Sequence, residues 1–175
     1  MLPRDLCTVR NRRWSLARLY MTFSTSLHSL VEDFARVREH SANLCAPLEI
    51  EDYGVQSMPD ASPAKWHLAH TTWFFEQLVL GPFAQGYRVF HPQFAHLFNS
   101  YYESLGTFFT RRERGTLTRP TVEEVYTYRA YVNQAMAALL GAADHPERAE
   151  IERRTILGLN PDQQHQELLL TDIKH

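Results

Sequence analysis

Residues 62–80 read SPAKWHLAHTTWFFEQLVL, and the fold turns on how this stretch is placed. Serine followed by proline has the form of a helix start. The Ser62 hydroxyl can cap free backbone N–H groups, and proline at the first helical position forfeits no hydrogen bond. The helix is predicted to run to about Leu80, where Gly81-Pro82 stops it. Within it His67 and His70 stand three residues apart on nearly the same face, flanked by Trp66, Trp73, Phe74 and Phe75. A histidine in such a setting has two readings: a core residue with both ring nitrogens satisfied, or a metal ligand whose apolar surround excludes water.

Working outward, Leu27, Leu30, Val31, Phe34, Val37 and Leu44 recur at helical spacing across residues 24–44, with Glu32, Asp33, Arg36 and Arg38 between them. Residues 46–61 contain Pro47, Gly54 and Pro59 and read as a connecting loop. Residues 83–120, aromatic and basic by turns, predict a long, partly helical crossover carrying a cationic patch at Arg111, Arg112 and Arg114. Thr121 with Glu124 is a capping box, and Val125, Tyr128, Val132, Met136 and Leu139 continue as a helical stripe to about Gly141. A charged turn over residues 144–150 leads into a last helical segment. Strand pairs, hairpins and repeats are not signalled. The class is therefore all-α, and a four-helix bundle with one long crossover is the simplest assembly.

A chain of 175 residues suits one domain with a real core. A formal net charge of -2 offers no global field for nucleic acid or an anionic membrane. No apolar run approaches the roughly 20 residues that span a bilayer. Cys7 and Cys45 are far apart and show no CxxC spacing, which fits a reducing, cytoplasmic setting. Residues 1–22 form a basic leader with Arg4, Arg10, Arg12, Arg13 and Arg18. It reads as an upstream start ahead of Met21 rather than a transit peptide. Residues 23–175 are then the domain.

The segment GLNPDQQHQELLLTDIKH, residues 158–175, carries His165. Two histidines at i and i+4 on a helix can share a metal, but the position one turn before His165 is Pro161. Asn160-Pro161-Asp162 has the form of a new helix start with an asparagine cap, so the helix is predicted to restart at Asn160. Asp162, three residues before His165, could complete a two-histidine, one-carboxylate triad with His70 and His165 of the sort iron(II) accepts. Against this, a carboxylate in the first turn of a new helix is favoured by the helix dipole without any metal. Glu167 points away from His165. His67 is a reserve donor, and His91, His96 and His175 are read as structural or exposed.

Four blocks, SMPDASPAKWHLAHTTWFFE, FNSYYESLG, RGTLTRPTVEEVYTYRAYV and QQHQELLLTDIKH, together resemble the N-terminal DinB-like domain of the EgtB family of ergothioneine-biosynthesis sulfoxide synthases. The resemblance runs from residue 24 to residue 175. It implies a DinB-like four-helix bundle belonging to a non-heme iron(II) enzyme. Such an enzyme uses dioxygen to join the sulfur of γ-glutamylcysteine or cysteine to the imidazole of hercynine, giving a sulfoxide. Three histidines hold iron in the family: one matches His70, one matches His165, and the third falls where this chain has Pro161. Gln164 matches a contact to the substrate imidazole, and Arg111 and Arg114 resemble residues that bind substrate carboxylates. Family members continue into a formylglycine-generating-enzyme-like domain that supplies the catalytic tyrosine, so the resemblance implies a truncated or split part of such an enzyme, expected to be inactive alone, with a separate C-terminal catalytic chain as the partner if it is split. Two other readings stand beside this one: a metal-free bundle acting as a degenerate fragment or interaction module, and a stand-alone DinB-like metal-dependent thiol transferase.

Overall fold

The protein is described here by a computed structural model that covers residues 29–100, 102, 104 and 106–175. The basic leader and the first residues of the predicted opening helix, 24–28, lie outside the described residues. Every regular element among the described residues is helical. None is long and apolar enough to cross a membrane.

Helix α1 (Leu30–Cys45) begins at a capping box that the apolar periodicity alone does not show. Ser29 N–H donates to Glu32 Oε2 at 2.8 Å and Glu32 N–H to Ser29 Oγ at 3.3 Å, which satisfies two donors that a helix start leaves free. Helix α2 (Ala64–Phe75) is buried along its whole length. It continues through a π-helical turn (Glu76–Leu80) and a last α-turn (Gly81–Phe83). Short helix α3 (Phe94–Leu97) and a 3-10 turn (Arg111–Thr116) punctuate the long crossover, which is partly helical as predicted. Helix α4 (Val122–Gly141) carries the predicted Thr121–Glu124 capping box. Helix α5 (Arg148–Lys174) closes the described chain. Helix α2 packs on α4 and α5, while α1 packs chiefly on α5. The core between them is built from Trp66, Phe75, Tyr128, Met136, Ile151 and Leu169.

Both ends of α2 differ from the sequence expectation. Ser62 does not cap it: the N-cap is Pro63, with no side-chain cap bond. The Ser62 hydroxyl instead accepts from Arg114 Nη1 at 2.9 Å, while Ser62 N–H donates to Asp172 Oδ2 at 2.8 Å. Nor does Gly81-Pro82 stop the helix, which runs on to Phe83. Proline at 82 has no N–H to offer the Leu78 carbonyl one turn earlier, and Arg154 Nη1 from α5 bonds to that carbonyl at 3.0 Å.

The larger correction concerns Pro161. No new helix starts at Asn160, because α5 is one helix of 27 residues with Pro161 inside it. The interruption is held from both sides. On the N-terminal side Gly158 lets the backbone lie against Phe74 and Phe75, where an added Cβ would come within 2.6 Å of a ring carbon. On the C-terminal side Asp162 is anchored to α1. The carbonyl that proline leaves without its usual N–H belongs to Leu157, a residue on the exposed side of the helix.

Candidate functional site

Because α2 brings a new residue to the same face every three or four positions, Trp66, His70 and Trp73 form one column. The His70 imidazole lies stacked between the two indoles, at 4.6 Å from Trp66 and 5.6 Å from Trp73 between ring centroids. Its Nδ1 stands 2.6 Å from the Phe98 carbonyl in the crossover. A carbonyl only accepts, so Nδ1 carries the proton and Nε2 keeps its lone pair. This is the arrangement in which a second partner fixes the tautomer of a metal-ligating histidine.

Helix α5 brings His165 to the same place, its ring centroid 4.7 Å from that of His70 and 5.1 Å from that of His67. His67 Nδ1 and His165 Nδ1 are 2.8 Å apart, and His67 Nε2 is 2.9 Å from Asp172 Oδ2. The roles follow by elimination. An ionised carboxylate accepts only, so His67 Nε2–H donates to Asp172. Neutral His67 must then accept at Nδ1 from His165 Nδ1–H, which leaves His165 Nε2 with a lone pair.

Burial makes these imidazoles neutral. It pushes His70 down to about 4, with the Arg114 charge and His67 adding to the effect. Burial and the neighbouring His70 and His67 push His165 down to about 2. Burial also lowers His67, although the Asp172 carboxylate opposes it. For Asp172, burial pulls the carboxyl upward, but hydrogen bonds from His67 and Ser62 hold it below its ordinary value.

The arginines of the 3-10 turn border this cluster. Arg114 is buried, its guanidinium 3.3 Å from the Trp66 ring centroid and donating to Ser62 Oγ and Ser100 Oγ. A guanidinium so placed is held by stacking and hydroxyls, and a substrate carboxylate would have to reach it beneath the surface. Arg111 is half-buried in the same turn and adds to the positive field at His67, His165 and Asp172. Gln164 is exposed, whereas the neighbouring Gln166 is the buried amide, donating to the Val37 carbonyl and Ser41 Oγ, both at 2.9 Å.

Asp162 is turned toward α1. The triad of His70, His165 and Asp162 required a carboxylate free to face a metal, but both its oxygens are engaged with α1. Oδ2 accepts from Arg38 Nη1 at 3.0 Å and Oδ1 from Ser41 Oγ at 2.8 Å. Its helix-start reading falls too, since no helix starts there. A carboxylate near the imidazoles is supplied instead by Asp172, which sequence reasoning missed. The signal was available in the spacing, because Asp172 follows His165 by seven residues and so shares its helical face. Among the remaining histidines, His91, His96 and His175 are all exposed. His96 bonds to Thr107 and His175 to Ser57.

Iron(II) accepts imidazole and carboxylate donors. The donor chemistry here suits it, with outer nitrogens of His67 and His70 already held by Asp172 and the Phe98 carbonyl. Yet among the described residues no three His, Cys, Asp or Glu side chains stand ready around a single metal position. The imidazole cluster is closed on itself by the His67–His165 hydrogen bond. No protein-family model and no curated protein matches the chain.

Proposed function

We propose that this chain is a DinB-like four-helix bundle serving as the iron(II)-holding part of an EgtB-type sulfoxide synthase of ergothioneine biosynthesis, in the cytoplasm. The observation that carries the reading is the meeting of His70 and His165. These two residues come from different helices and different resembling blocks, yet stand ring to ring at 4.7 Å, and His70 has its Nδ1 tied off by the Phe98 carbonyl. Bound there, iron would supply the activation of dioxygen. The chain's own residues would orient the donors, keep water out with Trp66 and Trp73, and place positive charge from Arg111 and Arg114 beside the site. Gln164, on the exposed side of α5, is free to meet hercynine at an interface. A partner chain of the formylglycine-generating-enzyme type would supply the catalytic tyrosine and complete the pocket for hercynine and γ-glutamylcysteine or cysteine.

The test is an anaerobic iron(II) titration of the chain and of His70→Ala, with helicity followed in parallel. One iron per chain, lost in the variant, is the expected result. A folded protein that takes up no iron would overturn the reading.

A second reading has its own observation. Asp162 is committed to Arg38 and Ser41, and His67 to His165 and Asp172, so both carboxylates and both nitrogens of His67 already have partners within the protein. A metal-free bundle acting as an interaction module needs nothing more, and the same titration separates the two.

A further inference from the structure

The cluster contains a third imidazole that no resembling metal ligand accounts for. We infer that His67, through its Nδ1, is the third nitrogen donor to a divalent transition-metal ion held with His70 and His165, taking over from the position occupied by Pro161. This inference rests on the reading of the cluster as a metal site.

Four observations lead to it. First, His67 meets His165 directly, the two Nδ1 atoms approaching to 2.8 Å. Two imidazole nitrogens bound to one metal at about 2.0–2.1 Å each are separated by only slightly more than this. The two nitrogens are therefore nearly at the separation of two ligands of one cation, and the site opens when the two rings part and turn slightly. Second, the outer nitrogen of His67 is bound to Asp172 Oδ2 at 2.9 Å. A carboxylate behind a histidine fixes its tautomer and raises the basicity of the inner nitrogen, a pairing that recurs behind metal-bound imidazoles. Asp172 is itself held, by Ser62 N–H at 2.8 Å. Third, the cluster is flanked by a cavity of about 10 Å3 bounded by His67, His165, Asp162 and Gln166. That is near the smallest space that admits one water, enough for the rings to shift but not for an organic ligand. Fourth, His67 is only 4% exposed. A histidine serving only as a polar surface residue would not be set so deep, with its one acceptor nitrogen turned toward another imidazole.

The same geometry explains why the cluster does not stand open around a metal position. Nδ1 of His67 is occupied by the His165 proton; on binding, that proton moves to His165 Nε2, and the hydrogen bond is exchanged for one bond from each Nδ1 to the ion. Three imidazoles and no thiolate favour ions of the iron(II), cobalt(II) or zinc(II) type over magnesium or calcium.

Cobalt(II) is the probe, because its visible absorption reports coordination without any turnover. The anaerobic chain would be titrated alongside His67→Gln, His70→Gln and Asp172→Asn, with circular dichroism confirming that each is helical. Expected are one cobalt(II) per wild-type chain, loss of binding in His70→Gln, and affinity lowered at least tenfold in His67→Gln with a changed visible spectrum. Asp172→Asn, which keeps the size but weakens the carboxylate support, should bind about 10–100-fold more weakly. If His70→Gln abolishes binding while folded His67→Gln matches wild type in affinity and spectrum, the assignment of His67 is wrong and the metal-site reading stands. If folded wild type takes up no cobalt(II), the metal-site reading fails, and His67 with it.

Discussion

Arg38 Nη1 and Asp162 Oδ2 lie 3.0 Å apart in an ion pair whose two side chains are each 1% exposed, joining α1 to α5 across 124 residues of chain. The pair sits in a larger buried network. Arg38 also donates to Asn133, Thr71 and Thr72, while Arg129 sets its guanidinium on the carbonyls of Leu68 and Arg38. Burial and the neighbouring Arg38 lower Arg129 to about 9, and the Asp162 charge opposes that fall. One carboxylate thus supports two cations.

Removing that carboxylate alone should be severe. Asp162→Ala leaves buried positive charge without its counter-ion, and a loss of about 3–5 kcal/mol in urea unfolding is expected. The double variant Arg38→Met with Asp162→Leu should lose less than Asp162→Ala, because it leaves one buried cation, Arg129, without its carboxylate instead of two and removes the Arg38 charge that opposes it. A double variant as unstable as the single one would show that the ion pair itself, and not the stranded arginine, carries the stability.

Gly158→Ala should destabilise, although alanine is ordinarily preferred to glycine inside a helix by about 1 kcal/mol. The new Cβ would stand 2.6 Å from Phe74 Cε1 and 2.7 Å from Phe75 Cε1, rings that are themselves 4% and 0% exposed. Overpacking of this kind costs about 1–3 kcal/mol. A rise in the urea midpoint would mean that the rings yield freely.

Pro161→Ala is expected to act in the opposite direction. It restores the backbone hydrogen bond to Leu157 and removes a proline whose cost in a helix interior is roughly 3 kcal/mol. Part of that is offset by the greater freedom of the unfolded chain, so a gain of about 1–2 kcal/mol by urea unfolding is the expected outcome. Pro161→His goes further. In a continuous α5 the new imidazole lies one turn before His165 on the same face. On the proposed function, anaerobic iron(II) affinity should then rise by orders of magnitude, and an unchanged affinity would count against that function.

Acid should unfold the metal-free chain early. The folded pKa of His70 is about 4, below its ordinary value of 6.5. The unfolded chain therefore takes up a proton that the native state refuses. The stability this group contributes is complete above 6.5 and declines as pH falls toward 4, by up to about 1.4 kcal/mol per pH unit. His67 and His165 are shifted the same way and add to the slope. Urea midpoints measured between pH 7 and pH 4 check this. His70→Gln should flatten the curve, and a slope unchanged in that variant would assign the acid sensitivity elsewhere.

Much of the helical architecture is legible from spacing alone. Thr121 and Glu124 announce the start of α4, and Phe34 and Val37 mark the inner face of α1. The misreadings have a common physical origin: local signals are overridden by partners distant in sequence. Gly81-Pro82 looks terminal until Arg154 reaches the carbonyl that proline cannot serve. Asn160-Pro161-Asp162 looks like a cap until Arg38 claims the aspartate. Ser62 looks like a cap and is taken by Arg114. At the candidate site His70 and His165 were identifiable as residue types on helical faces. Asp172 was passed over because its partner, His67, lies on another helix. Arg38, written as a spacer between apolar residues of α1, is among the most buried side chains of the protein, since a guanidinium with four acceptors is at home in a core.

His67 and Asp172 are 105 residues apart, and His67 and His165 are 98 apart. During synthesis α2 leaves the ribosome long before α5 exists, so the paired histidines of α2 must wait, unpartnered, for most of the chain to be made. The cluster therefore forms late, when α5 docks and pays its loop-closure entropy in one step. Whatever the cluster holds is acquired only once α5 has been made and has docked.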